Sequence, residues 1–157
     1  MNFSIKPQRQ EFRHDPIIGI YGDCFRTAIA IVIGMDRDDV PHWHEDMDMF
    51  EANRRYDQWL EDRRLSRICI YLSGDLSVDE ALAETAHYSK APFIFSGRSK
   101  NGTGHAVVAQ DGCIVCDPSI DQSWIVGPMD TEPHKVYLAE WIVQFPTIAR
   151  SDYEVAP

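Results

Sequence analysis

The stretch "GHAVVAQDGCIVCDPS", residues 104–119, decides the fold class. Two apolar runs, HAVVA and CIVC, flank Asp111-Gly112, and Asp-Gly between such runs signals a tight antiparallel hairpin. Working outward, further strand-like segments follow the same rule. PFIF (92–95) precedes the hairpin, SWIV (123–126) and KVYLAEWIVQF (135–145) follow it, and Gly, Pro, Asn or Asp stands between them. SRICIYL (66–72) reads as one more strand. The first half is helical instead. In "YGDCFRTAIAIVIGM" (21–35), Asp23 suits an N-cap, the interior is apolar nearly all round, and Gly34 suits a C-terminal stop, which predicts a buried helix. Met49, Ala52, Tyr56, Trp59 and Leu60 recur at helical spacing within 47–64, predicting an amphipathic surface helix. Ser77 and Glu80 form a capping-box pattern that starts a third helix running to about Ser89. Helices early and strands late favour an α+β fold, an antiparallel sheet packed against N-terminal helices, over an alternating parallel sheet.

The 157 residues are expected to form one domain, 1–157, with an extended N-terminal arm over 1–20 and a frayed tail over 151–157. A net charge of −10 argues against nucleic acid and anionic membranes as partners. Arg54-Arg55 and Arg63-Arg64 lie among acids, as on a solvated helix face. The N-terminus lacks an apolar secretory core and no apolar run approaches the ~20 residues of a spanning helix, so a cytoplasmic protein is expected. Cys24, Cys69, Cys113 and Cys116 read as reduced thiols. Cys113 and Cys116 form a CxxC, but residues i and i+3 of a strand face opposite ways, which argues against a zinc site.

Cys24 stands where the first helix begins, and helix N-termini stabilise the reactive thiolate. A thiolate needs an imidazole beside it, and the imidazole needs an acceptor that fixes its tautomer. His105, opening one hairpin strand, and Asp117, closing the other, are the candidates. The register tests them, because a one-residue slip reverses every face. With a two-residue Asp111-Gly112 turn, Gln110 pairs with Cys113 and Asp117 faces away from His105. With a three-residue Gln110-Asp111-Gly112 loop, Ala109 pairs with Cys113 and His105 opposes Asp117. A His105–Asp117 pair therefore predicts the three-residue loop, although Asp-Gly suits the shorter turn equally well. The plainer readings are a structural thiol, a strand-edge histidine and a turn-initiating aspartate before Pro118.

The order Cys, His, Asp, with "DC" at a helix start and "GHAVV…DP" on a later hairpin, resembles the papain-like cysteine peptidases. It is most similar to their compact bacterial and phage members, including the bacteriocin-processing type, over roughly residues 7–120. The resemblance implies a papain-like fold, Cys24 as nucleophile, His105 as general base and acid, and Asp117 as its orienter. It implies no cofactor and no metal, and a protein or peptide substrate; oligomeric state stays open. The family also places a glutamine upstream of the nucleophile as an oxyanion donor, and such donors are worth about 10²–10³ in rate. The position six residues before Cys24, where many relatives carry it, is Ile18. Gln10 is the substitute expected from the arm, with Gln8 second.

The expectation is a thiol hydrolase, a peptidase or amidase. An acyltransferase, transglutaminase or deamidase with the same triad is the alternative, as is a non-catalytic binding or inhibitor protein. A metal reading rests on His42, His44 and Glu45 of "PHWHE" and on His14-Asp15, whose spacing fits neither HExxH nor a zinc finger. Trp43 is expected to anchor that segment or line the cleft. The loop "SGRSKNGTG" (96–104) is expected to cover the cleft, with Arg98 and Lys100 favouring an acidic substrate.

Overall fold

The computed structural model describes residues 5–45, 48–131 and 133–145; the expectation for the tail lies outside them. Among the described residues the fold is α+β. Helices α1 (Cys24–Ile33), α2 (Met49–Glu61) and α3 (Val78–Thr85) pack on a seven-stranded antiparallel sheet. Its strands are β1 (Leu65–Ser73), β2 (Phe93–Ser99), β3 (Gly104–Gln110), β4 (Cys113–Cys116), β5 (Ile125–Gly127), β6 (Met129–Thr131) and β7 (His134–Gln144). They run in the order β1-β7-β2-β3-β4, with β5 beside β2 and β6 beside β7. No helix among the described residues is long and apolar enough to cross a membrane.

Side-chain alternation divides the core into two layers. Ile94, Ala106 and Val108 face α1 and α2, where they meet Ile29, Tyr56 and Leu60. Phe93, Phe95, Val107 and Ala109 face α3, where they meet Leu82, Tyr137 and Trp141. The helices therefore cover both faces of the sheet. Ile29 has no solvent exposure, and truncating such a residue to Ala costs roughly 2–5 kcal/mol. Gly34 ends α1 in the left-handed region at φ 74°, as its position predicts, and Met35 N–H closes the turn on Ala30 O at 2.9 Å. The capping box of Ser77 and Glu80 is present, although α3 ends at Thr85 rather than near Ser89. Helix α2 begins at Met49, capped by the Asp48 side chain. Met49 is 63% exposed, so the apolar stripe is carried by Ala52, Tyr56, Trp59 and Leu60.

The central hairpin corrects the expected loop. Asp111 and Gly112 have φ of 48° and 78°, both left-handed, and Gln110 pairs with Cys113. This is the two-residue turn, in which a left-handed pair matches the twist of the strands. The register then changes: Ala109 pairs with Ile114 but Val108 pairs with Cys116, leaving Val115 as a one-residue bulge. Continued from there, Asp117 falls opposite Val107, on the same face as His105. The bulge supplies the parity that the longer loop was expected to supply.

Candidate active site

Cys24 is the first residue of α1, half-buried at a helix end whose leading N–H groups lack intrahelical partners. Asp23 occupies the N-cap position, but its side chain makes no capping bond. Its buried carboxylate instead accepts from Phe12 N–H at 2.8 Å, from Glu11 N–H at 3.2 Å and from Arg26 Nε–H at 3.0 Å. Asp23 O accepts from the Thr27 hydroxyl at 2.8 Å. The residue before the thiol thus ties the N-terminal arm across the start of α1. Sequence reasoning assigned Asp23 a local role and missed this long-range one, since the arm carries no pattern that marks the contact.

Opposite α1, His105 Nε2–H donates to Asp117 Oδ1 at 2.8 Å, with side-chain exposures of 6% and 3%. That bond leaves Nδ1 as the ring nitrogen available to the thiol. Burial opposes charge on the imidazole, but the hydrogen bond to Asp117 and the interaction with Cys24 outweigh it and bring its pKa up to about 9. Burial likewise opposes the Asp117 carboxylate, yet bonds from His105, Ser119 and Trp124 hold it well below the usual range. Ser119 N–H reaches Oδ1 at 2.8 Å and Trp124 N–H reaches Oδ2 at 2.9 Å. Gln122 and Trp124 have φ of 51° and 47°, a left-handed geometry costing such residues about 1–3 kcal/mol each. The 119–124 loop holds that geometry while its backbone donors converge on Asp117.

Gln10 is buried and borders the same cavity as Cys24 and His105. Its backbone N–H bonds Pro118 O at 2.8 Å, beside Asp117, and its Nε2 donates to Phe12 O at 2.8 Å, leaving a second amide hydrogen. Among the described residues, its buried Oε1 has no partner. Gln8 is used elsewhere: its amide bonds Met35 O and Arg37 N–H, both at 2.7 Å, pinning the arm to the far end of α1. Ile18 is 67% exposed in a turn closed by the Asp15–Ile20 bridge, and it lines neither of the cavities described next.

Two cavities of about 430 and 400 Å³ meet at Cys24 and His105. The first is polar, bordered by Gln10, Arg13, Asn101, Thr103, Ser119 and Asp121. The second lies on the α1 side of the sheet, with Phe25, Tyr71, Leu138 and Met129 around Arg67 and Glu140. Residues 96–99 belong to β2 and Gly104 opens β3, so the loop expected over 96–104 is confined to 100–103. This hairpin borders both cavities, but not through its charges. Lys100 Nζ donates to Asp121 O at 2.9 Å and Gln122 O at 3.0 Å, and neither Arg98 nor Lys100 lines either cavity. The expected preference for an acidic substrate loses its basis.

The "PHWHE" segment packs inward. Trp43 stands edge-on to Tyr56 at 4.9 Å, and His42 Nε2 lies 3.1 Å from Tyr21 O. His44 sits among Tyr21, Phe25 and Tyr56; burial first, then His42 and Arg67, push its pKa down to about 4. Among the described residues, no three His, Cys, Asp or Glu side chains gather as a metal site. All four cysteines are free.

No protein-family model matches the chain, and neither a curated protein nor a solved structure matches it.

Proposed function

We propose that this chain is a papain-like thiol hydrolase of amide or peptide bonds, with Cys24 as nucleophile, His105 as base and acid, and Asp117 as orienter. The observation that carries the reading is the 2.8 Å bond from His105 Nε2 to a buried Asp117 beside a thiol at a helix start, all bordering shared cavities. Asp117 fixes the imidazole so that Nδ1 takes the thiol proton. The Cys24 sulfur then attacks the carbonyl carbon, and the oxyanion that forms faces the Cys24 backbone N–H and the Gln10 amide. Collapse of this intermediate breaks the C–N bond, and the His105 proton leaves with the amine. Water, deprotonated by His105, attacks the thioester, and the thiolate departs with the carboxylic product formed. The polar cavity has room for an amine in place of that water, which makes acyl transfer the second reading.

The test is a peptide-library and ubiquitin-like substrate screen with wild type and Cys24→Ala, alongside iodoacetamide alkylation of Cys24 against pH. Turnover by wild type alone is expected, with an alkylation plateau reaching below the ordinary thiol pKa of about 8.5. Equal turnover by both proteins, or alkylation that rises only as an ordinary thiol ionises, overturns the reading. Adding hydroxylamine partitions the acyl-enzyme, so hydroxamate in excess of acid selects the transfer reading.

A further inference from the structure

The second cavity has a floor that the chemistry at Cys24 does not use. Arg67, Cys69 and Tyr71 of β1, Leu138 and Glu140 of β7, Ser96 of β2 and Ala106 of β3 all project from one face of the sheet into it. Glu140 sits mid-strand in the otherwise apolar run "VYLAEWIV" with its side chain 4% exposed. Burying a carboxylate this deeply is costly unless its oxygens are bonded. Oε1 is bonded twice, by Arg67 Nη1–H at 2.8 Å and by the Cys69 thiol at 3.3 Å. Both bonds end on that one oxygen, and among the described residues Oε2 takes none.

Burial raises the Glu140 pKa, opposed by the Arg67 cation and by the bonds from Cys69 and Arg67. Arg67 is shared between Glu140 and Asp57, whose Oδ1 accepts from Arg67 Nε–H at 2.9 Å, and Asn53 Oδ1 accepts from Nη1 at 3.1 Å. Glu140 therefore shares the Arg67 guanidinium with a second carboxylate, Asp57, which is half-exposed and lies outside the cavity lining. Of the other titratable groups that line the cavity, His105, with its pKa raised to about 9, is a cation at neutral pH and is bonded to Asp117. His44 is neutral there, and the Cys69 thiol, pushed up to about 12 by burial and then by Glu140, is uncharged. Phe25, Tyr71, Met129 and Leu138 line the same cavity as this floor and Cys24 and supply its apolar wall.

Resting on the hydrolase reading of Cys24, we infer that this cavity is a specificity pocket for a substrate side chain with an apolar stem and a cationic head, the stem lying against Leu138 and Tyr71 and the head bonding Glu140 Oε2. The buried carboxylate discriminates because a neutral stem of the same length leaves Oε2 unbonded and an anionic one meets like charge. Lysine-like side chains fit this chemistry; glutamate-like ones do not.

Three iodoacetamides of matched length test it on the full chain: N-(5-ammoniopentyl)-, N-hexyl- and N-(5-carboxypentyl)iodoacetamide. Each forms a thioether as the Cys24 thiolate displaces iodide, and mass spectrometry assigns the label to Cys24 rather than to the neutral Cys69. After correction for reactivity with glutathione, the ammonium probe is expected to react at least tenfold faster than the hexyl probe, and the carboxylate probe slowest. The order is expected to persist in 0.5 M NaCl, where the Debye length falls to about 4 Å and general attraction to an acidic protein is screened. Glu140→Gln is expected to bring the ammonium-to-hexyl ratio close to one. Leu138→Phe, which narrows the cavity without changing charge, lowers the same ratio and covers the case in which Glu140→Gln does not fold. A wild-type ratio near one, a ratio lost in salt, or a ratio unchanged in folded Glu140→Gln overturns the pocket assignment. If Cys24 reacts with plain iodoacetamide only as an ordinary thiol does, the hydrolase reading fails instead; fast but indiscriminate labelling defeats the pocket alone.

Discussion

The two flanks of Cys24 and His105 are nearly equal in volume and opposite in construction. The polar flank is made by backbone: Gln10 on an arm without helix or strand, and the 119–124 loop whose N–H groups hold Asp117. The apolar flank is made by side chains standing on one sheet face, with a buried charge cluster as its floor. Loops tied at several points adjust to function residue by residue, whereas a sheet face is fixed by register along entire strands. On the proposed hydrolase reading, the difference amounts to a division of labour, with the chemistry on the polar flank and substrate selection on the apolar one.

The largest effect that separates the flanks is expected from Gln10→Ala. If the free amide hydrogen of Gln10 meets the oxyanion, kcat for an amide substrate falls about 10²–10³-fold while KM changes little. The ratio between cationic and apolar probes is expected to stay where it was, since that ratio belongs to the other flank. Steady-state kinetics on wild type and variant checks the first point and probe competition the second. A fall in the ratio equal to the fall in kcat would mean that the arm shapes both cavities.

A smaller effect, readable without any substrate, comes from two histidines with opposite shifts. His105, at the junction, has its pKa raised to about 9, so its contribution to stability is complete below the ordinary value of about 6.5 and is lost as pH rises toward 9. His44, on the apolar flank, has its pKa lowered to about 4, so the unfolded chain takes up the proton first and stability falls between pH 6.5 and 4. The melting temperature is expected to peak near pH 6.5. Asp117→Asn flattens the alkaline limb and His44→Phe the acid limb. Calorimetry between pH 4 and 9 checks both, and an alkaline limb that survives Asp117→Asn would detach His105 from the slope.

How much of this was legible in the sequence differs by flank. The antiparallel hairpin, the buried first helix and the residue types Cys24, His105 and Asp117 follow from periodicity, turn chemistry and spacing, because each is a local pattern. The turn length was misread for a reason with a physical basis. Asp111-Gly112 does what its chemistry prefers, and the parity is restored by a bulge at Val115, a β-branched residue that looks like any other strand position. The clamp by Asp23 joins residues more than ten apart in sequence, and local pattern carries no such information. The apolar flank was missed although one signal was present. Glu140 interrupts an apolar strand at a position whose neighbours two residues away, Leu138 and Ile142, share its face, and a charge so placed marks either a paired core residue or a pocket.

The smallest expected effect concerns Ile18, the position at which the resemblance to papain-like peptidases would place the oxyanion glutamine. In this chain the residue is 67% exposed at the tip of the turn between Asp15 and Ile20, whose backbones exchange bonds of 2.9 and 3.0 Å. Those two bonds are made by backbone groups, whatever the side chain at 18. Ile18→Ser is therefore expected to change unfolding free energy by no more than about 0.5 kcal/mol and to leave turnover and probe selectivity at wild-type values. Chemical denaturation and the three-probe competition test both. Ile18→Gln is the sharper variant: if Gln10 already fills the oxyanion role, a second glutamine at an exposed tip adds no rate. If Ile18→Gln restores turnover to Gln10→Ala, the turn reaches the cleft during catalysis, and the polar flank extends one loop further than its resting geometry indicates.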